Sequence, residues 1–276
     1  MNKKIFTEEE TQKIIHFYQE DQMSMEDIAK IFNTSRSPIF RTLKENEVQI
    51  RSNTCKSRKY HINENYFDII DTPNKAYIIG LLFADGNNRK RQGNVRIELQ
   101  DTDVQILEDI KKELELDCPL YLRHFDQHPT WHDTYSLSIN SVHISQKLAN
   151  LGMVPNKSLI LDFPAWINEE LFPFMLKGYI DGDGWIRPKL IGFMSSDKFC
   201  YGVQSFLSEH YGINSGVMDM KRHYNEHTKT LYVYQRHLSD LVNLMFSSPT
   251  IGIQRKVDKY FQYGFLQYDA NNSLVN

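Results

Sequence analysis

The sequence has few cysteines, no long apolar run and almost no net charge, and each shortage excludes a class of protein. Its three cysteines, Cys55, Cys118 and Cys200, stand far apart without a CxxC pair, which argues against a disulfide scaffold or a zinc ribbon. The longest apolar run, residues 76–84, is too short to cross a bilayer. The opening segment MNKKIFTEEE lacks the apolar core of a secretory signal. We therefore expect a cytoplasmic protein.

The formal net charge of −3 over 276 residues indicates no general attraction to a polyanion, but the basic residues are clustered. Segments 51–59 and 89–96 each hold four Lys or Arg and no acidic residue. Such clusters are often only solvated surface, and they are also what a phosphate-binding face requires. The candidate DNA contacts in and beside these clusters are Arg51, Arg58, Lys59, Arg89, Arg91 and Arg96.

The first fifty residues predict three short helices. Apolar residues recur at helical spacing between Glu8 and Glu20. Ser24 is placed to cap a second helix, with Asp27 as its capping-box partner, and Ser35 to cap a third that ends near residue 46. We expect the third helix to bury Ile39, Phe40 and Leu43. A helix, a tight turn and a second short helix together indicate a helix-turn-helix domain over residues 1–50.

The stretches SMEDIAK (24–30) and SRSPIFR (35–41) resemble the helix-turn-helix of resolvases, transposases and many phage proteins. Seven Lys or Arg against two Glu between residues 36 and 60 favour DNA binding over a helical module without a DNA role. Arg36, Ser37 and Arg41 are the candidate contacts in this domain. Residues 51–65 are polar and unpatterned and are predicted to form a basic linker.

Beyond the linker, one pattern occurs twice. The first copy is IIGLLFADG (78–86) and the second is LKGYIDGDG (176–184). In each copy, two small residues four positions apart are followed at once by Asp-Gly; these residues are Gly80, Ala84 and Asp85, then Gly178, Gly182 and Asp183. Residues four apart share a helix face, so two such helices can pack closely.

The order of elements after each motif is also repeated. A strand (94–100; 185–194), a helix (103–114; 197–211), two strands (120–125 and 134–139; 216–222 and 230–235) and a helix (141–151; 238–246) are predicted. A lysine then follows 72 residues after Asp85, at Lys157, and 73 after Asp183, at Lys256. Such repetition predicts two α/β repeats, 66–165 and 166–266, and a tail over 267–276.

Two carboxylates at the ends of touching helices repel each other and lie at the negative ends of helix dipoles. Proteins keep such pairs where a divalent cation neutralises them, and Mg²⁺ suits one or two carboxylates completed by water and phosphate. Gly86 and Gly184 are expected to end the helices as left-handed caps. Two packing helices that merely end in Asp-Gly turns are the alternative, which leaves the repeated aspartates unexplained.

The two motifs resemble those of single-chain LAGLIDADG homing endonucleases, and the resemblance covers about residues 66–263. It implies an α+β fold in which two pseudo-symmetric αββαββα repeats form a saddle on DNA, here preceded by the all-α domain. It also implies a monomer that hydrolyses both strands of a long asymmetric double-stranded DNA site with Mg²⁺ or Mn²⁺. Such an enzyme would belong to a mobile element, for instance an intron, of a bacterium or a phage.

The resemblance implies site residues as well. Asp85 and Asp183 would be catalytic metal ligands, with the backbone carbonyls of Ala84 and Gly182 as further ligands. Lys157 and Lys256 would offset phosphate charge or polarise the attacking water. The sixth motif position departs from the family, since it is Phe83 in one copy and Asp181 in the other. Asp181 cannot line up with Asp183 on a helix and is expected to hydrogen bond locally.

Side chains alternate across a sheet, so every second strand residue is expected to face DNA. The candidates are Arg96, Glu98 and Gln100 in the first repeat, and Lys221, Arg222, Gln235 and Arg236 in later strands of the second.

Other functions remain open. A LAGLIDADG-derived DNA-binding regulator or RNA-splicing maturase would keep the scaffold without cutting DNA, and a helix-turn-helix fused to a ligand-sensing domain is a further alternative.

His124, His128 and His132 stand four apart, but Pro129 interrupts any helix, so we expect surface histidines. We find no HNH-type hairpin and no intein splice-junction pattern, and expect a free-standing enzyme.

Overall fold

The computed structural model describes residues 6–21, 23–48, 50, 60–127, 130–154, 157–219, 228–268 and 274–275. The chain divides into two compact units, Met1–Lys59 and Tyr60–Asn276. In the described part, no helix has both the length and the apolar character needed to span a membrane.

The smaller unit contains three helices: α1 (Glu8–Gln19), α2 (Met25–Ile31) and α3 (Arg36–Glu45). The Ser24 side chain accepts a hydrogen bond from the Asp27 backbone N–H and so caps α2, whereas Ser35 makes no side-chain cap on α3. The prediction that Phe40 is buried is wrong, because 39% of this residue is exposed. The three helices pack around a small core that includes Ile14, Tyr18, Met25, Ile28, Ile39 and Leu43.

The larger unit contains the two predicted repeats. The first consists of α4 (Pro73–Asp85), β1 (Gly86–Arg89), β2 (Asn94–Gln100), α5 (Val104–Glu113), β3 (Tyr121–Arg123), β4 (Thr134–Asn140) and α6 (Val142–Asn150). The second consists of α7 (Phe172–Asp183), β5 (Gly184–Arg187), β6 (Leu190–Ser196), α8 (Asp197–Tyr211), β7 (Gly216–Asp219), β8 (Thr228–Tyr234) and α9 (Leu238–Met245). Helix α10 (Gln254–Gln262) follows. The α+β fold of αββαββα repeats is therefore confirmed.

Each repeat forms one antiparallel four-stranded sheet, in the order β1-β2-β4-β3 and β5-β6-β8-β7. The two registers correspond: Gly86 pairs with Ile97, and Gly184 pairs with Phe193. Apolar side chains such as Ile97 and Phe193 face one continuous core, in which α4 and α7 are central. The opposite face of each sheet carries the less buried side chains of its central strand.

Three predicted boundaries need correction. Residues 185–194 form a hairpin, β5 and β6, rather than one strand, because Pro188 and Lys189 make a turn. Gln235 and Arg236 do not belong to a strand, since β8 ends at Tyr234 and a 3-10 turn begins. Residues 60–65 were expected in the linker, but Ile62 is only 7% exposed and belongs to the core of the larger unit.

The predicted tail also contains some structure. Strand β9 (Gln267–Tyr268) pairs antiparallel with β10 (Leu274–Val275) in a separate two-stranded ribbon.

Candidate active site

Helices α4 and α7 touch backbone to backbone at their glycines. A Cβ atom added to Gly80 would overlap the carbonyl oxygen of Met175, and one added to Gly178 would overlap that of Tyr77. The two contacts are related by the repeat, so each helix uses its glycine in the same way. A side chain at either position would force the helices apart.

The close approach brings the two motif aspartates together. A Cβ atom added to Gly182 would meet the Ala84 Cβ and would lie 2.7 Å from Oδ2 of Asp85. The Asp85 carboxylate therefore lies against the backbone just before Asp183, in space that only a glycine leaves open. Among the residues that the structure describes, neither carboxylate has a hydrogen bond or an ion pair.

Both carboxyl groups are harder to ionise than usual. Burial and then the neighbouring charge of Asp183 raise the pKa of Asp85 to about 6. Burial also raises the pKa of Asp183, against the opposing effect of Lys157 and Lys256. The site thus holds two neighbouring carboxylates whose negative charge Lys157 and Lys256 offset only in part.

The raised pKa of Asp85 makes a prediction for the protein without metal. The folded protein holds the Asp85 proton more tightly than the unfolded chain, so stability is lost as pH rises from about 4 through about 6. Asp85→Asn is expected to raise the free energy of unfolding at pH 7 by roughly 1–3 kcal/mol and to flatten this pH dependence. Urea unfolding between pH 4 and 8 in a chelating buffer measures both effects. An Asp85→Asn variant less stable than the parent protein at pH 7 would contradict the raised pKa of Asp85.

The two predicted lysines occupy equivalent positions at the ends of the motif helices. Nζ of Lys157 donates to the carbonyl oxygens of Ala84 (2.9 Å) and Gly86 (2.7 Å). Nζ of Lys256 donates to those of Ile180 (3.2 Å) and Gly184. Burial lowers the pKa of both amines, while the nearby aspartates raise it. Each lysine thus places positive charge at the negative end of a helix and beside the carboxylate pair.

Helix α4 ends at Gly86 and α7 at Gly184, but not through left-handed caps. Gly86 has φ −76° and Gly184 has φ −86°, and both begin a strand in extended conformation. Glycine is needed for space instead, because an added Cβ would press on the Leu82 or Ile180 carbonyl of the preceding turn. The expected cap is therefore wrong at both positions, and the lysines satisfy the helix ends.

A buried ionic network crosses the helix pair around Asp181. The Tyr77 hydroxyl (2.7 Å) and the Ile253 N–H (3.3 Å) donate to Oδ2 of Asp181. Lys177 lies 3.7 Å from Asp181 and donates to the Ile251 carbonyl. Asp181 was expected to hydrogen bond locally, but its bonds are long-range: it joins α4, α7 and the segment leading to Lys256. Lys177, four residues before Asp181 in the motif helix, was the signal that could have indicated this network.

Arg255 was likewise not predicted from the sequence, although it stands next to Lys256. Its Nε lies 2.9 and 2.8 Å from the two carboxylate oxygens of Asp103, and that aspartate is 5% exposed. The pairing fastens α10 to the first repeat. The spacing of 152 residues between the partners gave no local pattern by which to find it.

Of the predicted DNA contacts of the first repeat, Arg89, Arg96, Glu98 and Gln100 share the outer face of its sheet. Arg96 lies 3.0 Å from Glu98, and its Nε has no hydrogen-bond partner among the described residues, while Gln100 donates to Asp103. Arg89 ends β1, and Arg91 is exposed in the turn before β2. In the second repeat, Lys221 and Arg222 lie outside the described residues, and Gln235 and Arg236 follow β8.

In the smaller unit, Ser37 and Arg41 are exposed on one face of α3, together with Phe40. Arg36 makes an ion pair with Glu26 at 2.9 Å. Arg51, Arg58 and Lys59 lie outside the described residues.

Two carboxylates are the donor set that this site offers to a cation. The described residues contain no group of three or more His, Cys, Asp or Glu side chains placed to hold a metal ion. His124 pairs with Asp133 at 2.6 Å and His132 lies 3.7 Å from Asp101, while His128 lies outside the described residues. A site of two carboxylates fits Mg²⁺ or Mn²⁺, which accept water and phosphate oxygens as the remaining ligands.

No protein-family model matches the sequence. An uncharacterized protein of Methanocaldococcus jannaschii is 32% identical over 152 residues, which cover 53% of this chain and 53% of that protein. The chain thus matches about half the length of this relative.

Several solved structures are similar to this one. The homing endonuclease I-WcaI bound to its DNA recognition sequence has a TM-score of 0.49 at 12% identity, covering 78% of this chain and 97% of that one. I-DmoI in complex with DNA and Ca has a TM-score of 0.48 at 16% identity, covering 71% of this chain and 97% of that one. Full-length WhiA from Thermatoga maritima has a TM-score of 0.46 at 13% identity, covering 76% of this chain and 67% of that one. These identities are too low to transfer the role of any residue.

Proposed function

We propose that the chain is a LAGLIDADG-type endonuclease that hydrolyses both strands of double-stranded DNA at a long asymmetric site. The observation that carries the proposal is the Asp85–Asp183 pair. Two like charges are held together at the ends of two helices, their pKa values are raised, and the described residues supply no hydrogen bond or ion pair to either. A protein retains such an unfavourable arrangement where a cation and a phosphate complete it.

In this proposal Asp85 and Asp183 would hold a divalent cation, Mg²⁺ or Mn²⁺. Such a cation lowers the pKa of bound water and offsets charge on the leaving oxygen. The Gly182 and Ala84 carbonyls are candidate further ligands. The Ala84 carbonyl already accepts a hydrogen bond from Lys157, so it would have to use its second lone pair.

Lys157 and Lys256 each have one N–H donor that is not used by a carbonyl oxygen. An ammonium group has three donors, and Lys157 and Lys256 each give two to carbonyl oxygens. The remaining donor of each lysine can bind a phosphate oxygen or the attacking water. Each lysine therefore has two tasks: it stabilises the end of a helix and it keeps positive charge beside the reacting phosphate.

The proposal includes a monomer, because α4 and α7 supply both carboxylates from a single chain. The two repeats differ in sequence, so the two halves of the DNA site would differ as well. Arg89, Arg91, Arg96, Glu98 and Gln100 are the proposed contacts of the first repeat. A cytoplasmic location and an origin in a mobile element remain predictions.

The experiment is cleavage of a randomised duplex library and of the DNA flanking the gene, with Mg²⁺, with Mn²⁺ and with a chelator. We expect double-strand breaks at one family of sequences, only with the cation. Specific binding without cleavage would indicate a regulator instead of an endonuclease. Preference for structured RNA over duplex DNA would indicate a maturase.

We also propose that the three-helix unit binds DNA at one flank of the site. Deleting residues 1–59 leaves the larger unit complete. The truncated protein is expected to bind target DNA on the order of tenfold more weakly, with a smaller salt dependence, and still to cut at high protein concentration. Footprinting and salt titration measure this. The full chain with Arg36→Gln and Arg41→Gln is the matched control for the lost positive charge. A truncated protein that folds but cannot cut would contradict the proposal that the three-helix unit only binds DNA.

A further inference from the structure

The outer faces of the two sheets differ in kind, although their registers correspond position by position. In the first sheet, Asn87, Arg96 and Ser138 lie side by side across β1, β2 and β4. The corresponding row in the second sheet is Trp185, Gly192 and Tyr232. Where the first sheet has a row of polar side chains, the second sheet thus has a row of aromatic residues and glycine.

The neighbouring rows show this replacement in part. Glu98 of the first sheet corresponds to Met194 of the second, whereas Ser136 corresponds to Thr230 and Tyr121 to Met218. Asn94 and Asn140 correspond to Leu190 and Tyr234. Met218 is 50% exposed and Tyr234 is 58% exposed, so these two side chains are presented to solvent.

Glycines give the aromatic rings of this face room to lie across the sheet. A Cβ atom added to Gly192 would lie 3.0 Å from Cζ2 of Trp185, and one added to Gly216 would overlap the Tyr232 ring. The rings of Tyr232 and Tyr234 are in contact, with centroids 4.7 Å apart. The face is therefore a built surface of aromatic and thioether groups.

This surface shares a cavity with Asp183. Trp185 and Met194 line a cavity of about 480 Å³ together with Asp183 and Thr228. The hydroxyls of Thr228 and Thr230 are buried and have no hydrogen-bond partner among the described residues. Whatever lies along the second sheet thus also reaches Asp183.

We infer that the second sheet recognises thymine 5-methyl groups in the major groove of its half of the DNA site. This inference rests on the proposed function, in which both sheets face one duplex. The thymine methyl is the apolar group that base pairs present in the major groove. The apolar side chains that the structure describes on this face match that methyl group.

The test measures binding, so it does not depend on cleavage. A duplex selected from a random library is synthesised with deoxyuridine in place of thymidine, in one half-site at a time. This change removes only the methyl group. The half-site whose base preference changes with Arg96→Gln is assigned to the first sheet, and the other to the second.

We expect thymidines in the second half-site, and a loss of about fourfold in affinity for each methyl removed there, as for roughly 0.8 kcal/mol per buried carbon group. The same change in the first half-site should alter affinity less than about twofold. Met218→Ser should abolish the sensitivity to deoxyuridine in the second half-site. Tyr121→Ser, at the matching position of the first sheet, should leave it unchanged; Tyr121 is 66% exposed, so both changes are tolerated by the fold.

Equal tolerance of deoxyuridine in both half-sites, or a second half-site without thymidine, would overturn the inference. Tighter binding to single strands than to the duplex would also overturn it, and would indicate stacking of unpaired bases on the aromatic row. Binding with methyl dependence but without cutting would leave the inference standing and refute the endonuclease.

Discussion

Asp85→Asn and Asp183→Asn are each expected to abolish double-strand cleavage, by at least roughly a thousandfold, while DNA binding persists or tightens. Either change removes half of the carboxylate pair that would hold the cation. It also removes a negative charge that repels phosphate, so affinity should not fall. Cleavage of selected duplex and its binding in a chelating buffer separate the two effects.

Asp126→Asn is the matched control, since Asp126 is exposed and lies in a loop after β3. It should cut at the rate of the parent protein. Near-normal cleavage by either motif variant would refute the assignment of the metal site. Loss of binding along with cleavage would place the aspartates in DNA recognition instead.

Gly80→Ala and Gly178→Ala are expected to destabilise the protein by roughly 3 kcal/mol or more, or to prevent folding. The added methyl group would overlap the carbonyl oxygen of Met175 or of Tyr77. These are backbone atoms inside helices, which cannot turn away as a side chain can. Urea unfolding and the soluble yield measure the effect.

Gly212→Asn is the control, because Gly212 has no atom within 4 Å of an added Cβ and its φ of +65° is one that Asn adopts. Its cost should stay below about 1 kcal/mol. A Gly80 or Gly178 variant as stable as this control would show that the helices can separate without loss.

The carboxylate pair could be predicted from the spacing of residues along the chain. Small residues four apart, followed by Asp-Gly, predict a close helix pair with two aspartates at its end, because helical periodicity is a property of neighbouring residues. The matched downstream elements predict two αββαββα repeats for the same reason. Both predictions needed only spacing, and the structure has both features.

The partners of those helices could not be found in this way. Asp181 joins Tyr77 and Ile253, and Arg255 joins Asp103 across 152 residues. Such contacts depend on where distant segments lie after folding, and no periodic pattern marks them. The extended conformation of Gly86 and Gly184 likewise follows from the strands and lysines that meet the helix ends.

By itself the sequence determined the number, order and repetition of the elements, the glycine-lined faces and the paired aspartates, since each follows from local propensity or spacing. Only the tertiary structure decided that the lysines bind the helix ends and that one side of the helix pair is ionic. It also decided that one sheet presents polar groups where the other presents aromatic rings. Those features depend on register and on contacts between distant residues, which are settled only when the whole core packs.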